Sequence, residues 1–335
     1  MKTNTLDIRH MDCMELMAEL PNKSQHLIIV DPPYFEVKGG FDFIWASFED
    51  YLKDVEKWAK EMKRVLADNG TLFWWGHAKK IAYSQIILDK YFNLENNLKW
   101  EKSQCQTKAQ DFVQARTFAP VTEHLLFYSN GTEPEEWDRT GWDSVKLDVG
   151  NFKPLRDYFQ GLQEFIPSSK KEMIQAIGQC ADHAFRWGSS QWDMPTHDTY
   201  NKIKAVYQIT SWDGFKEYEE LRKEYEELRK EYEELRRPFN NDMKLTDVMK
   251  FSQESHETGK HNHPTQKPPT LCRALIRTCS KRGMNLLVPF MGSGTECVEG
   301  ANLGLNVTAS ELDEDYYKAA CERIHRETSQ QTFEL

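Results

Sequence analysis

The 335-residue chain has no apolar run long enough to cross a bilayer, and its first residues, MKTNTLDIRH, carry no apolar segment of the secretory kind. Its seven cysteines are scattered and odd in number, without a Cys-x-x-Cys pair, so a disulfide framework is not indicated. A reduced, cytoplasmic compartment is the expectation. His256, His261 and His263 stand at spacings that suit no standard zinc pattern, and no metal is expected. An excess of positive charge is also missing, since 43 Lys and Arg against 53 Asp and Glu leave a net charge of -10. That excludes a globally basic nucleic-acid binder but not a basic face on an acidic total. What the chain does have is 39% hydrophobic residues, with 18 Phe, 13 Tyr and 10 Trp. This is enough core for two domains, or for one large α/β domain with an insertion.

Two stretches carry chemistry. The first is Val30-Asp31-Pro32-Pro33-Tyr34, which follows the apolar run Leu27–Val30, read as a buried parallel strand. Two prolines cannot continue a sheet ladder, so the strand stops and the chain leaves in an extended loop. A carboxylate, a free carbonyl and an aromatic face then gather at the carboxyl end of a strand, where open α/β sheets bind ligands. The second is Pro289-Phe290-Met291-Gly292-Ser293-Gly294-Thr295, between a strand (Asn285–Val288) and a helix. Alternate glycines let backbone approach a ligand closely and start a helix whose N–H groups face it. Seventeen residues beyond Gly294, at the end of the next strand, stands Glu311, placed to accept hydrogen bonds from ribose hydroxyls. The third glycine of the dinucleotide fingerprint is absent, which points away from NAD and towards a cofactor with one adenosine and no pyrophosphate. S-adenosylmethionine fits.

Between these stretches the expected order is a strand at Leu6–His10, Asp12 as a helix cap, and a helix at Met14–Leu20. The strand ending at Val30 comes next, then an aromatic and Gly-rich segment, Phe35–Phe48, which reads equally as a flap or a surface loop. An amphipathic helix at 49–66, a strand at 71–75, a helix at 79–91 and strands at 94–99 and 124–128 complete an alternation that predicts a mostly parallel, doubly wound sheet. From about 130 to 255 the strands thin out, Trp recurs, and helices are expected at 170–184 and 198–208. Three heptads fill 216–237, with Tyr218, Leu221, Tyr225, Leu228, Tyr232 and Leu235 along one seam. They serve either a homodimer contact or an arm packed on its own domain, and Tyr at each a-type position favours the arm. Residues 1–130 and 256–335 then form the two halves of the sheet domain. Cys272 and Cys279 read as core, and Arg273, Arg277, Lys281 and Arg282 as a phosphate-facing cluster or a solvated helix face.

Taken in order, Asp31-Pro-Pro-Tyr34, His263-Pro-Thr265-Gln-Lys267-Pro, Pro289-Phe290-Met-Gly292-Ser-Gly294-Thr and Glu311-Leu-Asp313 resemble the S-adenosylmethionine-dependent DNA amino-methyltransferases of the permuted β class. The resemblance covers roughly residues 6–130 and 260–326. It implies a circularly permuted class I, Rossmann-like α/β domain with an inserted, mainly helical target-recognition region. By the same resemblance Asp31, Pro32, Pro33 and Tyr34 hold the target amine and base. Phe290, Gly292, Gly294 and Thr295 line the cofactor pocket, Glu311 takes the ribose, and Asp12 lies near the adenine. Thr265 and Lys267 belong to the loop at the cofactor's methionine end, and Asp31 faces the methyl group. The implied substrate is duplex DNA with the base flipped out, since a stacked base cannot reach such a pocket. The implied setting is a bacterial or phage-encoded cytoplasmic protein, with a cognate restriction endonuclease as a conceivable partner.

Asp at the first position of the catalytic motif leans towards adenine N6, and N4 of cytosine stays open. Two departures stand out. Members commonly carry Asp before the Pro-Phe of the glycine loop, where this chain has Val288, and Gly before the first acidic residue, where it has Met11. Val288 leaves a catalytically impaired DNA-binding homologue as an alternative. Methylation of another planar amine, in RNA or on a protein glutamine, is a further one.

Overall fold

The computed structural model describes residues 4–37, 40–102, 116, 118–130, 152–189, 192–252 and 266–329. His256, His261, His263 and Thr265 lie outside the described residues. The chain divides into two compact units, Met1–Pro134 with Arg237–Leu335, and Glu135–Arg236. The insertion is expected to end at 255; the second unit ends at Arg236, and a strand at Val248–Phe251 pairs into the sheet of the first.

The first unit is built on an eight-stranded sheet. Its strands are β1 (Leu6–His10), β2 (Gln25–Val30), β3 (Leu66–Gly76), β4 (Asn93–Lys102), β5 (Thr122–Ser129), β6 (Val248–Phe251), β7 (Asn285–Val288) and β8 (Asn306–Glu311). They lie in the order β1-β8-β7-β2-β3-β5-β4-β6. Only the pairs β3–β5 and β4–β5 are antiparallel, so the sheet is mostly parallel as expected, with β5 as the reversed strand. Strands from both ends of the sequence meet at the centre, where β2 runs parallel to β7 with Leu27 beside Leu286 and Ile28 beside Leu287. This adjacency makes the permuted order workable, because it brings the Asp31 loop and the glycine loop to one edge.

Near-continuous apolar runs in β2 and β3 follow from burial on both faces. Leu27, Ile29, Phe73 and Trp75 point into one core, with α8 (Pro269–Cys279), α9 (Thr295–Asn302) and α10 (Glu314–Ser329) over it. Ile28, Val30, Leu72 and Trp74 point into the other, under α1 (Cys13–Glu19), α2 (Phe48–Val65) and α3 (Ile81–Leu88). Cys272 and Cys279 are buried core residues. The strand expected to start at Thr71 starts at Leu66, because Gln25 pairs with Leu66 across a bulge before Leu27 meets Thr71.

Among its described residues the second unit is helical: α4 (Lys153–Phe165), α5 (Lys170–Ile177), α6 (His197–Tyr207) and α7 (Tyr218–Leu235). The helix expected to reach Ala184 stops at Ile177, since Gly178 takes φ +110, a conformation no helix continues. At its other end Ser169 and Glu172 form a reciprocal capping box. The seam of α7 turns inward, with Tyr218 and Leu221 buried and Tyr225 and Leu228 packed on the same cluster as Phe152, Phe159 and Tyr200. That is the arm packed on its own domain. Among the described residues no helix is long and apolar enough to cross a membrane.

Candidate active site

Asp31 leaves β2 at the point where Val30 still pairs with Trp74 of β3. Pro32 and Pro33 offer no N–H, so the next backbone donors are satisfied from outside the sheet. Tyr34 N–H donates to Asp42 Oδ1 at 2.6 Å and Glu36 N–H to the Asp42 carbonyl at 2.7 Å. Phe35 and Glu36 both take positive φ, +57 and +50, at a cost of about 1 kcal/mol each for residues with a Cβ. The buried Asp42, the packing of Phe35 on Phe48 and Tyr51, and a Lys80 hydrogen bond to the Phe35 carbonyl hold this turn. Farther along, Trp45 packs edge-on against Tyr51 and donates to Asp54 at 2.8 Å. Phe35 and Trp45 are thus pinned to α2.

Around Asp31 stands a compact charge cluster. Tyr34 donates its hydroxyl to Asp31 Oδ1, and the Lys267 ammonium donates to Asp31 Oδ2 at 2.6 Å and to the Tyr34 oxygen at 3.2 Å. Lys267, its side chain only 2% exposed, also faces Glu123 at 3.4 Å and lies over the Trp75 ring at 5.0 Å. Glu123 in turn pairs with Lys102 at 2.6 Å. Two carboxylates and two ammonium groups balance in sign, which is what allows them to sit together at a sheltered strand edge. Burial works against the charge on Lys267, but Asp31 and Glu123 outweigh it and hold its pKa above the usual lysine value. Burial opposes ionisation of Glu123 too, and Lys267 and Lys102 prevail, holding it below the usual carboxylate range. Burial and the charges of Asp31 and Glu123 push the Tyr34 hydroxyl well up, so it stays protonated as a donor.

At the same sheet edge the glycine loop turns through positive φ at Gly292 (+51) and Gly294 (+75). A Cβ on Gly294 would stand 3.2 Å from Ile324 and 3.3 Å from Ala320 of α10. Glu311 ties the loop to the end of β8, its Oε2 accepting from Gly292 N–H at 2.8 Å and its Oε1 from Asp313 N–H at 3.0 Å. Each carboxylate oxygen keeps a lone pair for a further donor. Phe290 meets Trp58 edge-on at 4.9 Å. Asp12 caps α1 through Met14 N–H at 2.7 Å, while its loop reaches Glu311 through Met11 N–H.

Asp12, Asp31, Pro32, Pro33, Tyr34, Lys267, Phe290, Gly292 and Glu311 line one cavity of about 910 Å³, within the size range of cofactor and substrate pockets. Gly294 and Thr295 are not among the lining residues; Thr295 is buried and its hydroxyl accepts from Arg323 at 2.8 Å. Lys267, expected in the loop at the cofactor's methionine end, lines the cavity and meets Asp31 and Tyr34 of the catalytic loop. The sequence reading did not single out Asp42, Lys102, Glu123 or Glu296, all of which line the same cavity. A carboxylate at the head of the apolar run His124–Tyr128 was the one available signal for Glu123. Of the basic cluster, Arg273 pairs with Glu299 at 2.6 Å and Arg277 with Asp242. No group of three or more potential metal ligands occurs among the described residues.

The chain is similar to known proteins in sequence and in fold. The profile of a family described as DNA methylase (N6_N4_Mtase) matches residues 25–322. The Type II methyltransferase M2.DpnII of Streptococcus pneumoniae is 23% identical over 97% of this chain and 91% of its own length. The Type II methyltransferase M.HinfI of Haemophilus influenzae is 33% identical over 93% of this chain and 66% of its own length. In fold, the chain is similar to the M1.HpyAVI–SAM complex (16% identity, 95% of this chain and 100% of that one, TM-score 0.51). It is similar also to the cytosine-N4-specific PvuII DNA methyltransferase (12% identity, 98% and 93%, TM-score 0.52).

Proposed function

The chain belongs to the N6/N4 family of DNA methylases, and from that premise we propose that it is a site-specific adenine methyltransferase. It transfers a methyl group from S-adenosylmethionine to N6 of an adenine flipped out of duplex DNA. One observation carries this reading: the Asp31 loop and the glycine loop leave adjacent parallel strands and line one cavity.

The residues present fit the cofactor. The carboxylate of Glu311, fixed by Gly292 and Asp313 N–H groups, accepts ribose hydroxyls; Phe290 offers an apolar wall and Asp12 a carboxylate at the same end. S-adenosylmethionine supplies an electrophilic methyl group carried on a sulfonium centre. The chain's own groups handle the other reactant. An exocyclic amine on a base is a weak nucleophile, because its lone pair is delocalised into the ring. Asp31 and the Pro32 carbonyl accept its two hydrogens and favour the pyramidal nitrogen that can attack. Lys267 and the Tyr34 hydroxyl fix the Asp31 carboxylate, and each of its oxygens retains a lone pair for the amine. The Tyr34 ring is the surface on which the base rests. Asp rather than Ser at the first position of the motif favours adenine N6 over cytosine N4. A stacked base cannot enter a cavity at a strand edge, so flipping belongs to the same proposal. The unit Glu135–Arg236, which carries five of the chain's ten Trp, is the target-recognition element.

Expression in a methylation-free host followed by sequencing for modified bases tests this. The expected outcome is N6-methyladenine at one recurring site. N4-methylcytosine would overturn the base assignment. Unmodified DNA would overturn the enzyme reading in favour of a DNA-binding homologue or a different acceptor.

A further inference from the structure

Glu296 is the second residue of α9 and lines the cavity, yet neither loop described above gives it a task. The residue is only 6% exposed. Among the described residues its carboxyl has one side-chain partner, the Cys272 thiol, a weak donor 3.4 Å from Oε1. The groups that face it are Asp31 from the end of β2, Lys267 from the segment before α8, and Cys272 from α8 itself. Lys267 is already shared between Asp31 and Glu123. A buried carboxyl thus looks into the pocket with no cation of its own, an arrangement that is costly unless the group stays neutral or a ligand supplies the charge. Burial, reinforced by Asp31, holds its pKa above the ordinary glutamate value. Val288, 1% exposed in the core, places no carboxylate at the end of β7.

Resting on the cofactor reading above, we propose that Glu296 is the carboxylate that receives the α-ammonium of the cofactor's methionine portion. In the free chain burial favours its protonated form. On binding, that proton passes to solvent and the carboxylate accepts hydrogen bonds from the ammonium; no other bond is made or broken. The sign follows directly: a bound cation lowers the carboxyl pKa, so binding releases a proton. Affinity therefore rises with pH through the range where the free carboxyl titrates.

The test is calorimetric titration of the full chain with two probes that cannot donate a methyl group to DNA under the assay. S-adenosylhomocysteine carries the ammonium; 5′-methylthioadenosine lacks the amino-acid portion. Glu296→Gln should weaken S-adenosylhomocysteine by about tenfold or more while leaving 5′-methylthioadenosine within about twofold. In buffers of different ionisation enthalpy the wild type should release a proton on binding S-adenosylhomocysteine and the variant should not. Glutamine copies the neutral carboxyl in shape, so the unfolding midpoint of the free chain should hardly move. The wild-type proton release decides the matter even for a variant that folds poorly. If both probes bind the wild type, and the variant weakens both equally or neither, or no proton is released, the assignment of Glu296 is overturned while the cofactor reading stands. A wild type that binds neither probe overturns the cofactor reading and this inference with it.

Discussion

The residue on which the site turns after Asp31 is Lys267, because among the described residues its ammonium is the one cation that touches both Asp31 and Glu123. Removing either carboxylate leaves that ammonium underpaired at a sheltered position, which costs more than an exposed pair and less than a fully buried one. Glu123→Gln should therefore destabilise the folded chain by about 2 kcal/mol, between the values for exposed and buried pairs. It should also slow methyl transfer, since Lys267 would then bear on Asp31 alone. Chemical denaturation at neutral pH reads the first effect, and an unchanged midpoint would count against the cluster. The pH dependence has a defined sign. Glu123 is held below its ordinary value of 4.5, so its stabilisation is complete above that pH and is lost as pH falls through the depressed value. The variant should lose this part of the acid dependence, which paired denaturation curves at neutral and acidic pH would show.

At the scale of elements, the glycine loop and the heptad helix make separate predictions. Gly294 sits at φ +75 against Ile324 and Ala320, so Gly294→Ala should cost about 1–2 kcal/mol in backbone strain and side-chain crowding, and should weaken cofactor binding as the loop shifts. Equal stability in a thermal melt would show that the loop tolerates a Cβ. Leu221 of α7 is fully buried in the helical unit, and Leu221→Ala should destabilise that unit by about 2–5 kcal/mol, readable in urea from Trp fluorescence. A heptad seam used for another chain would give a much smaller loss in dilute solution. These same elements show what the sequence could convey. Runs such as Leu27–Val30 and Leu72–Trp75 are apolar on both faces, which is legible as buried parallel strand. The reversal of β5 was not legible, because alternation is the same in either direction. Neither was β6, whose four residues carry too little pattern to register. The early stop of α5 rested on one glycine, Gly178, whose φ only the folded chain reveals.

Over the whole molecule, the two loops and Glu311 were readable because each is a local motif at a strand end. The charge cluster was not, because it joins Asp31 to Lys267 across 236 residues and, through Lys267, to Glu123 on β5, which β3 separates from β2. Sequence spacing holds no record of such meetings. A net charge of -10 also requires that DNA be met by a local cationic face. Binding to duplex DNA should therefore weaken steadily as salt rises, measured by fluorescence anisotropy, and salt-independent binding would contradict this. The central claim is that Asp31 holds and polarises an amine and does not serve chiefly to bind the cofactor. The most direct measurement pairs single-turnover methyl transfer with S-adenosylmethionine binding for wild type and Asp31→Ala. The account predicts transfer reduced by about a hundredfold or more, in the range of losing one preorganised hydrogen-bonding group from a reaction centre, with cofactor binding largely kept. Retained transfer, or cofactor binding lost in step with it, would contradict the account.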